Sequence, residues 1–580
     1  MLKNLLRSLR RGRAARLNDD GIALWHRGDL AGAERALRAA IDAEPGFAPA
    51  FGNLGMVVWE QRRLDEGYAL LTRAVELDPR HLNARLNLAN VLAMAGRSEE
   101  SVAHYREVLR ADPGHTEARA NLARPLMDLC EWDAVDAEVR LLSQRWESEG
   151  AGAWLDCVTP YTALLISVAP AFRLAVAQHH AERIVARAGP PLRMAPRPRG
   201  RRLRIGYASA DFHNHAVAQF TVALFERHDR DRFEIYGYSF GHDDGSDYRR
   251  RIAAACTSFV DLRDAPFRAA AERIAADGID ILVDLMGHTG RSRPEVFALR
   301  PAPVQAAWLG YPGTTGGRYM DYLVADRIVL PESDFAWYSE QVVWLPHCYH
   351  ATDDAQPIAE RTPSRAECGL PEHAIVFCVF NQTAKIDRRI FATWMRVLAA
   401  VPESVLWLSG VGAGARRNLE RAAAQAGVAS ARLVYASYAA SKAEHLARHR
   451  AADLFLDTHV YNAHTTACDA LWAGLPVLTC PAEAFAGRVA TSMLHAVGLP
   501  ELSVATLEDY ERAAIALARD PGRRAALRAR LERNLRTMPL FDTTGFARAL
   551  EHAYEAMWAR HERGAPPAHI RAWQEVSRPD

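Results

Sequence analysis

Along the first 145 residues, apolar positions recur at helical spacing and the pattern repeats itself. Pro45, Pro79 and Pro113 close three similar phrases, A-I-D-A-E-P, A-V-E-L-D-P and V-L-R-A-D-P, at intervals of 34 residues. That is the period of tetratricopeptide repeats. Each phrase predicts two amphipathic helices, one before a polar turn such as Arg27-Gly28-Asp29 or Ala95-Gly96-Arg97, the other ending at the acidic-Pro step. One such pair cannot bury its own apolar face, so the pairs must stack into a curved solenoid, residues 1–147, whose concave side is a natural peptide groove. Asn53, Asn87 and Asn121 fall in the same register, each on a first helix. A side-chain amide both donates and accepts, so evenly spaced amides can clamp an extended chain without reading its sequence. They can equally face water or the next turn, and the spacing alone leaves the two open.

The period fades near Gly150. Residues 148–202 read as a helical connector ending in P-P-L-R-M-A-P-R-P-R-G-R-R, an exposed interdomain linker more than a phosphate contact. Short apolar runs then alternate with helical segments: Leu203-Arg-Ile-Gly-Tyr-Ala, Phe233-Glu-Ile-Tyr-Gly-Tyr, Ile279-Asp-Ile-Leu-Val-Asp, Val304-Gln-Ala-Ala-Trp-Leu and Tyr322-Leu-Val-Ala-Asp. After a pause around Pro357 to Pro371 the alternation restarts with Ile375-Val-Phe-Cys-Val-Phe, Val405-Leu-Trp-Leu-Ser, Arg432-Leu-Val-Tyr-Ala, Leu454-Phe-Leu-Asp and Val477-Leu-Thr-Cys. Two doubly wound α/β lobes are therefore expected, residues 203–362 and 363–565. Such sheets bind ligands at the carboxyl ends of their strands.

Composition narrows the partners. The 580 residues are 49% hydrophobic and 24% charged, ordinary for globular protein, and Lys+Arg 71 against Asp+Glu 70 leaves a net charge of +1, so no global field recruits nucleic acid or membrane. Eight cysteines are scattered without a C-x-x-C pair, which fits a reducing compartment. The basic start MLKNLLRSLRRGRAARL interrupts its apolar positions too often for a signal peptide. No run approaches the roughly 18 apolar residues of a membrane span. A cytoplasmic protein is expected.

The loops after the strands carry the candidate chemistry. In D-T-H-V-Y-N-A-H-T-T-A-C-D-A-L-W-A-G-L-P (457–476), His464, Thr465 and Thr466 fall at a helix start, where free backbone N–H groups and the dipole favour an anion. Asp469, within the first turns, can accept bonds from a polyol such as ribose. Threonine is also a good helix cap, so a capped surface helix is the plain alternative. Asn381-Gln-Thr-Ala-Lys385-Ile-Asp and Lys442-Ala-Glu-His445-Leu-Ala-Arg448 add cations from the second lobe. The first lobe offers Asp211-Phe-His-Asn-His215, Gly287-His-Thr-Gly-Arg and Gly310-Tyr-Pro-Gly-Thr-Thr-Gly-Gly. That division suits a sugar nucleotide, its anionic half held by the second lobe.

F-A-L-R-P-A-P-V-Q-A-A-W-L-G-Y-P-G-T-T-G (297–316), F-N-Q-x-x-K-I-D (380–387) and H-T-T-x-x-D-x-L-W-A-G-x-P (464–476) resemble the protein O-linked N-acetylglucosamine transferases and their SPINDLY-type plant relatives. The resemblance runs nearly the whole chain and implies a tetratricopeptide solenoid joined to two Rossmann-like lobes in the GT-B arrangement, in a compact bacterial-type form. It implies Lys385 at the donor's diphosphate with Gln382 nearby, His445 stacking on uracil beside Lys442 and Arg448, His464, Thr465 and Thr466 at the phosphates, and Asp469 on the ribose. It further implies His215 as a catalytic candidate, Thr289 as a donor-side threonine, Gly310 and Pro312 in the substrate-binding motif, and Asn53, Asn87 and Asn121 as a ladder for acceptor peptides. Gln219 and Met286 depart from the family pattern, and Met286 could wall or close the sugar pocket. The implied reaction is inverting transfer of N-acetylglucosamine from UDP-N-acetylglucosamine to Ser or Thr hydroxyls. Fucosyl or glucosyl transfer and a non-catalytic nucleotide-binding scaffold are the alternatives. His215, an imidazole and so able to take a proton near neutral pH, is either the base or an acceptor-positioning group. No D-x-D stands at a strand end, so no metal or other cofactor is expected.

Overall fold

The computed structural model describes residues 2–61, 63–193 and 200–572. Four helix pairs open the chain: Leu2–His26 with Leu30–Ala43, Ala48–Glu60 with Leu64–Leu77, Leu82–Met94 with Ser98–Ala111, and Thr116–Asp128 with Trp132–Glu149. The acidic-Pro steps end the second helices for a local reason. Glu44, Asp78 and Asp112 take extended backbone, with φ of −146°, −143° and −136°, the region a following proline imposes. Small separate apolar clusters lie between successive pairs, one around Leu37, Leu54 and Val58, the next around Leu71, Val91 and Leu92, the third around Val102, Tyr105 and Leu122. The array is held pair to pair, as a stacked solenoid is.

The connector is more than a spacer. It forms a short turn, Ala153–Cys157, and helices Pro160–Leu165 and Pro170–Ala188. Its Trp154, Leu155, Leu164 and Phe172 share one buried cluster with Leu142 of the repeats, Tyr311 of the first lobe, and Tyr461 and Ala486 of the second. Apolar side chains from all parts of the chain thus meet at this wedge. Residues 194–199 of the expected Pro- and Arg-rich linker lie outside the described residues.

The first lobe is built on β1 Leu203–Ser209, β2 Phe233–Ser239, β3 Ser258–Asp261, β4 Ile281–Asp284, β5 Val304–Ala307, β6 Tyr322–Ala325 and β7 Gln341–Trp344. The second contains β8 Ile375–Val379, β9 Ser404–Ser409, β10 Leu433–Ala436, β11 Leu454–Leu456 and β12 Val477–Leu478, and β13 Ile570–Arg571 ends the series. Every pairing is parallel, in the orders β13-β7-β6-β5-β4-β1-β2-β3 and β10-β9-β8-β11-β12. Central strands such as β4 and β5 are buried at every position, because helices cover both faces. The sequence pattern missed β3 and β7. The first is an edge strand with all four positions partly or fully exposed, so it lacks the apolar run that marks its neighbours.

One boundary needs correction. The sequence pattern places residues up to 565 in the second lobe, but helix Thr543–Glu562 crosses back to the first. Glu551, buried, accepts from His228 Nδ1 at 3.0 Å and from Asp229 N at 2.8 Å, and Tyr554 meets Tyr207, hydroxyl to hydroxyl, at 3.0 Å. β13 then pairs with β7 of the first sheet. An amphipathic helix pattern does not say which sheet it covers. Among the described residues no helix is long and apolar enough to cross a membrane.

Candidate active site

The strand-end loops of the first lobe press on one another. At Gly310 a Cβ would stand 1.9 Å from the Leu285 carbonyl oxygen, so only glycine lets the loops after β4 and β5 touch there. Pro312 is buried behind it. Buried Glu340 accepts from Thr314 Oγ1 at 2.7 Å and Thr315 N at 2.6 Å, and His288 Nε2 meets Thr315 O at 2.8 Å. Thr289 spends its hydroxyl proton on Met286 O at 2.9 Å, which leaves its oxygen only an acceptor. The Met286 side chain is buried in the lobe core with its sulfur accepting from Ser209 Oγ at 3.2 Å.

His215 caps helix Ala216–Arg227 and is exposed. Its Nδ1 accepts from Val217 N at 3.3 Å, and a carboxylate oxygen of Asp211 lies 3.4 Å from the same nitrogen. Gln219 is tied back to Asn214 at 3.0 Å. From the same helix Phe220 reaches the other lobe, its ring centre 5.8 Å from Lys442 Nζ.

The second lobe organises its loop around a carboxylate. Asp457, the first residue after β11 and fully buried, accepts from Thr458 N at 2.7 Å, Ala463 N at 2.6 Å, Thr479 Oγ1 at 2.7 Å and Asn381 Nδ2 at 3.3 Å. Burial raises its pKa to about 6, against those bonds. The loop so folded delivers His464 to the start of helix Thr465–Trp472, with Thr465 at the first helical position. His464 stacks on Tyr461, ring centres 4.6 Å apart. Lys385 lies over the same tyrosine, Nζ 4.2 Å from the ring centre, and donates to Asn462 O at 3.0 Å. Burial lowers the Lys385 pKa to about 7, with Asp457 opposing and Arg124 assisting. Not all the expected donors aim at one point. His464 Nε2 is turned to Ala486 O at 3.0 Å, and the Thr466 hydroxyl is given to Asn381 Oδ1, because buried polar atoms find partners where they can.

A second group lies beside the first. Lys442 Nζ reaches both oxygens of buried Asp469, at 2.7 and 2.6 Å, and His445 Nε2 lies 3.6 Å from the same carboxylate. Burial raises the Asp469 pKa and Lys442 opposes it. His445 Nδ1 meets Arg448 at 2.6 Å, and burial together with His449, Arg448 and Lys442 keeps this imidazole neutral. Arg448 also donates to Ser437 O at 2.8 Å and lies 4.4 Å from the Phe380 ring centre, so Phe380-Asn381 joins the two groups. Asp469, offered to a ribose by the sequence, is thus partly spent on Lys442.

Gln382 is exposed and accepts from Arg124 at 3.0 Å. Away from this site, Asn53 donates to Asn18 at 2.8 Å, Asn87 to Gly52 O at 3.4 Å and Asn121 to Asn90 at 3.0 Å. One N–H of each amide stitches neighbouring inner helices, and the second N–H and the carbonyl oxygen remain for a peptide. Sequence reasoning gave no role to Asp457, Asn381 or Tyr461, although all three stand within its quoted stretches. For Arg124 it had no signal.

Two doubly wound parallel-sheet lobes, with a C-terminal helix returning to the first, make up the GT-B arrangement. The family model described as glycosyl transferase family 41 matches residues 129–362 and 350–550, and a tetratricopeptide repeat model matches 18–79 and 53–116. The chain belongs to glycosyl transferase family 41. Among curated relatives, the Arabidopsis thaliana protein named "Probable UDP-N-acetylglucosamine--peptide N-acetylglucosaminyltransferase SEC" is 38% identical over 433 residues, covering 72% of this chain and 44% of the relative. A Caenorhabditis elegans UDP-N-acetylglucosamine--peptide N-acetylglucosaminyltransferase is 30% identical over 563 residues, covering 76% and 49%. The chain therefore spans less than half the length of either relative. A solved mutant O-GlcNAc transferase from Thermobaculum terrenum is similar over 96% of this chain and 99% of its own, with a TM-score of 0.70 and 30% identity.

Proposed function

We propose that this chain transfers N-acetylglucosamine, with inversion, from UDP-N-acetylglucosamine to Ser or Thr hydroxyls of proteins bound along its repeats. The observation that carries this is Lys385 on its tyrosine shelf beside the His464 helix start, at the strand ends of the second lobe of a family 41 chain. The acceptor oxygen attacks the anomeric carbon as the bond from that carbon to the diphosphate breaks, and UDP leaves with the bonding electrons. Charge then grows on the β-phosphate. The Lys385 ammonium and the N–H groups at the helix start are fixed in advance to receive it, which is the arrangement that lowers such barriers most. The neutral His445 ring suits stacking on uracil, and the Lys442–Asp469 pair suits the ribose.

The acceptor proton goes to His215 only if its Nε2 is bare. That tautomer needs Nδ1–H directed at Asp211, 3.4 Å away, whereas the Val217 N–H competes for Nδ1 in its unprotonated form. Asp211 is thus the group that selects the basic tautomer, as an orienting carboxylate does in other acid–base sites. The deciding experiment incubates the protein with UDP-N-acetylglucosamine, UDP-glucose or GDP-fucose and a Ser/Thr-containing protein, and reads the acceptor's mass. Transfer from the first supports the proposal; transfer only from GDP-fucose overturns the assignment of base and sugar together.

A further inference from the structure

The last helix pair of the repeats lies directly on the second lobe. Trp132 Nε1 donates to Ile386 O at 2.8 Å, Asn418 Nδ2 donates to Leu129 O at 2.8 Å, and Arg388 pairs with Asp133 and with Asp136 at 3.0 Å. The short turn Thr383–Lys385 is packed in this seam. Arg124, on helix Thr116–Asp128, stands at its centre, half-buried. Its Nε donates to Asp128 at 2.9 Å and its Nη2 to Gln382 Oε1 at 3.0 Å, while the guanidinium carbon is 5.7 Å from the Tyr161 ring centre. Tyr161 in turn meets Tyr461 at 6.3 Å. Tyr461 is the shelf under Lys385 and His464.

Asp128, four residues on in the same helix, already pairs with the Arg124 charge. The second bond goes to the side chain three residues before Lys385, and the ring contact goes to the residue that leads to the Lys385 shelf. Arg124 also stands three residues after Asn121, so the two occupy neighbouring positions on one face of their helix. We propose that Arg124 is a positioning residue for the donor's diphosphate, holding Gln382 and, through Tyr161, the Tyr461 shelf, so that the acceptor-binding repeats and the donor site share one side chain. The inference rests on the proposed activity. Burial lowers the Lys385 pKa, and the Arg124 charge adds to that lowering.

The test uses the full chain with Arg124→Gln, Arg124→Lys and Gln382→Ala, titrated calorimetrically with UDP from pH 6 to 9 and assayed for donor KM and kcat. Arg124→Gln is expected to raise the UDP Kd and donor KM about tenfold, the effect of one charge-assisted hydrogen bond, with a smaller change in kcat. Removing the like charge should also move the alkaline limb of UDP binding to higher pH, a readout that loosened docking would not shift. Arg124→Lys should restore the limb but only part of the affinity, since an ammonium cannot hold Asp128 and Gln382 in one fork. Gln382→Ala combined with Arg124→Gln should bind no worse than the weaker single variant. If Arg124→Gln folds poorly, Arg124→Lys decides instead: weaker UDP binding at an unchanged melting temperature supports the inference, and wild-type UDP affinity overturns it. Wild-type UDP affinity and an unshifted limb in Arg124→Gln would overturn the inference. Failure of the unaltered chain to bind UDP would instead overturn the proposed activity, and this inference with it.

Discussion

Replacing Lys385 by Ala removes the side-chain cation seated on the Tyr461 shelf at the expected diphosphate position. Its surroundings disfavour that charge: burial brings the Lys385 pKa down to about 7. A ground-state diphosphate recovers part of this, and a departing one, carrying more charge, recovers more. The difference between the two is what accelerates the reaction. Removing one preorganised donor from such a site costs about 2.7–4 kcal/mol, or roughly 10²–10³ in kcat. Lys385→Ala should therefore lower kcat by about 10²–10³ while weakening UDP binding by about tenfold or less. The assay pairs the initial rate of UDP release in the presence of acceptor with calorimetry of UDP on the same preparation. A kcat within about threefold of wild type, or a loss in affinity larger than the loss in kcat, would refute this role.

Other expectations follow from the same geometry. UDP binding should raise the Lys385 pKa, so the complex should take up a proton near pH 8, where the free lysine is mostly neutral, and almost none at pH 6, where it is already charged; calorimetry in buffers of different ionisation enthalpy measures this, and equal uptake at both values would contradict it. Asp469→Asn keeps the shape but strips the Lys442 ammonium of its partner, and should weaken UDP at least tenfold with kcat little changed; unchanged affinity would remove the ribose assignment. Changing Asn53, Asn87 and Asn121 together to Ala deletes three inter-repeat bonds worth about 0.5–1.5 kcal/mol each. Both the melting temperature and kcat/KM for a long protein acceptor should fall, and a melting temperature equal to wild type would show that those bonds carry no stability.

Much of this architecture is legible in the chain because it is written locally. A 34-residue period with proline after an acidic residue marks where second helices end, since a following proline disfavours the helical region for the residue before it. Apolar runs buried on both faces announce the central strands. What local pattern cannot carry is the choice of partner. Nothing in residues 543–562 says that Glu551 will meet His228 rather than the second sheet. Nothing around Arg124 says that a repeat will be docked against Gln382. The site was legible as residue types at strand ends, and less so as geometry. His464 and Thr466 are donors in composition, yet Ala486 O and Asn381 claim them. Asp457 looks like one more loop acid and turns out to be the group around which that loop is folded.

The central claim is that fixed protein donors, Lys385 foremost, neutralise the leaving diphosphate without help from a metal ion. Its most direct test is the intact mass of a protein acceptor incubated with UDP-N-acetylglucosamine and this chain in excess EDTA, in parallel with Lys385→Ala. The account predicts that the wild-type chain adds N-acetylhexosamine increments on Ser or Thr in EDTA as it does without it, and that the variant's rate falls by the factor given above. Loss of transfer in EDTA with rescue by Mg²⁺ or Mn²⁺, or full activity in Lys385→Ala, would contradict it.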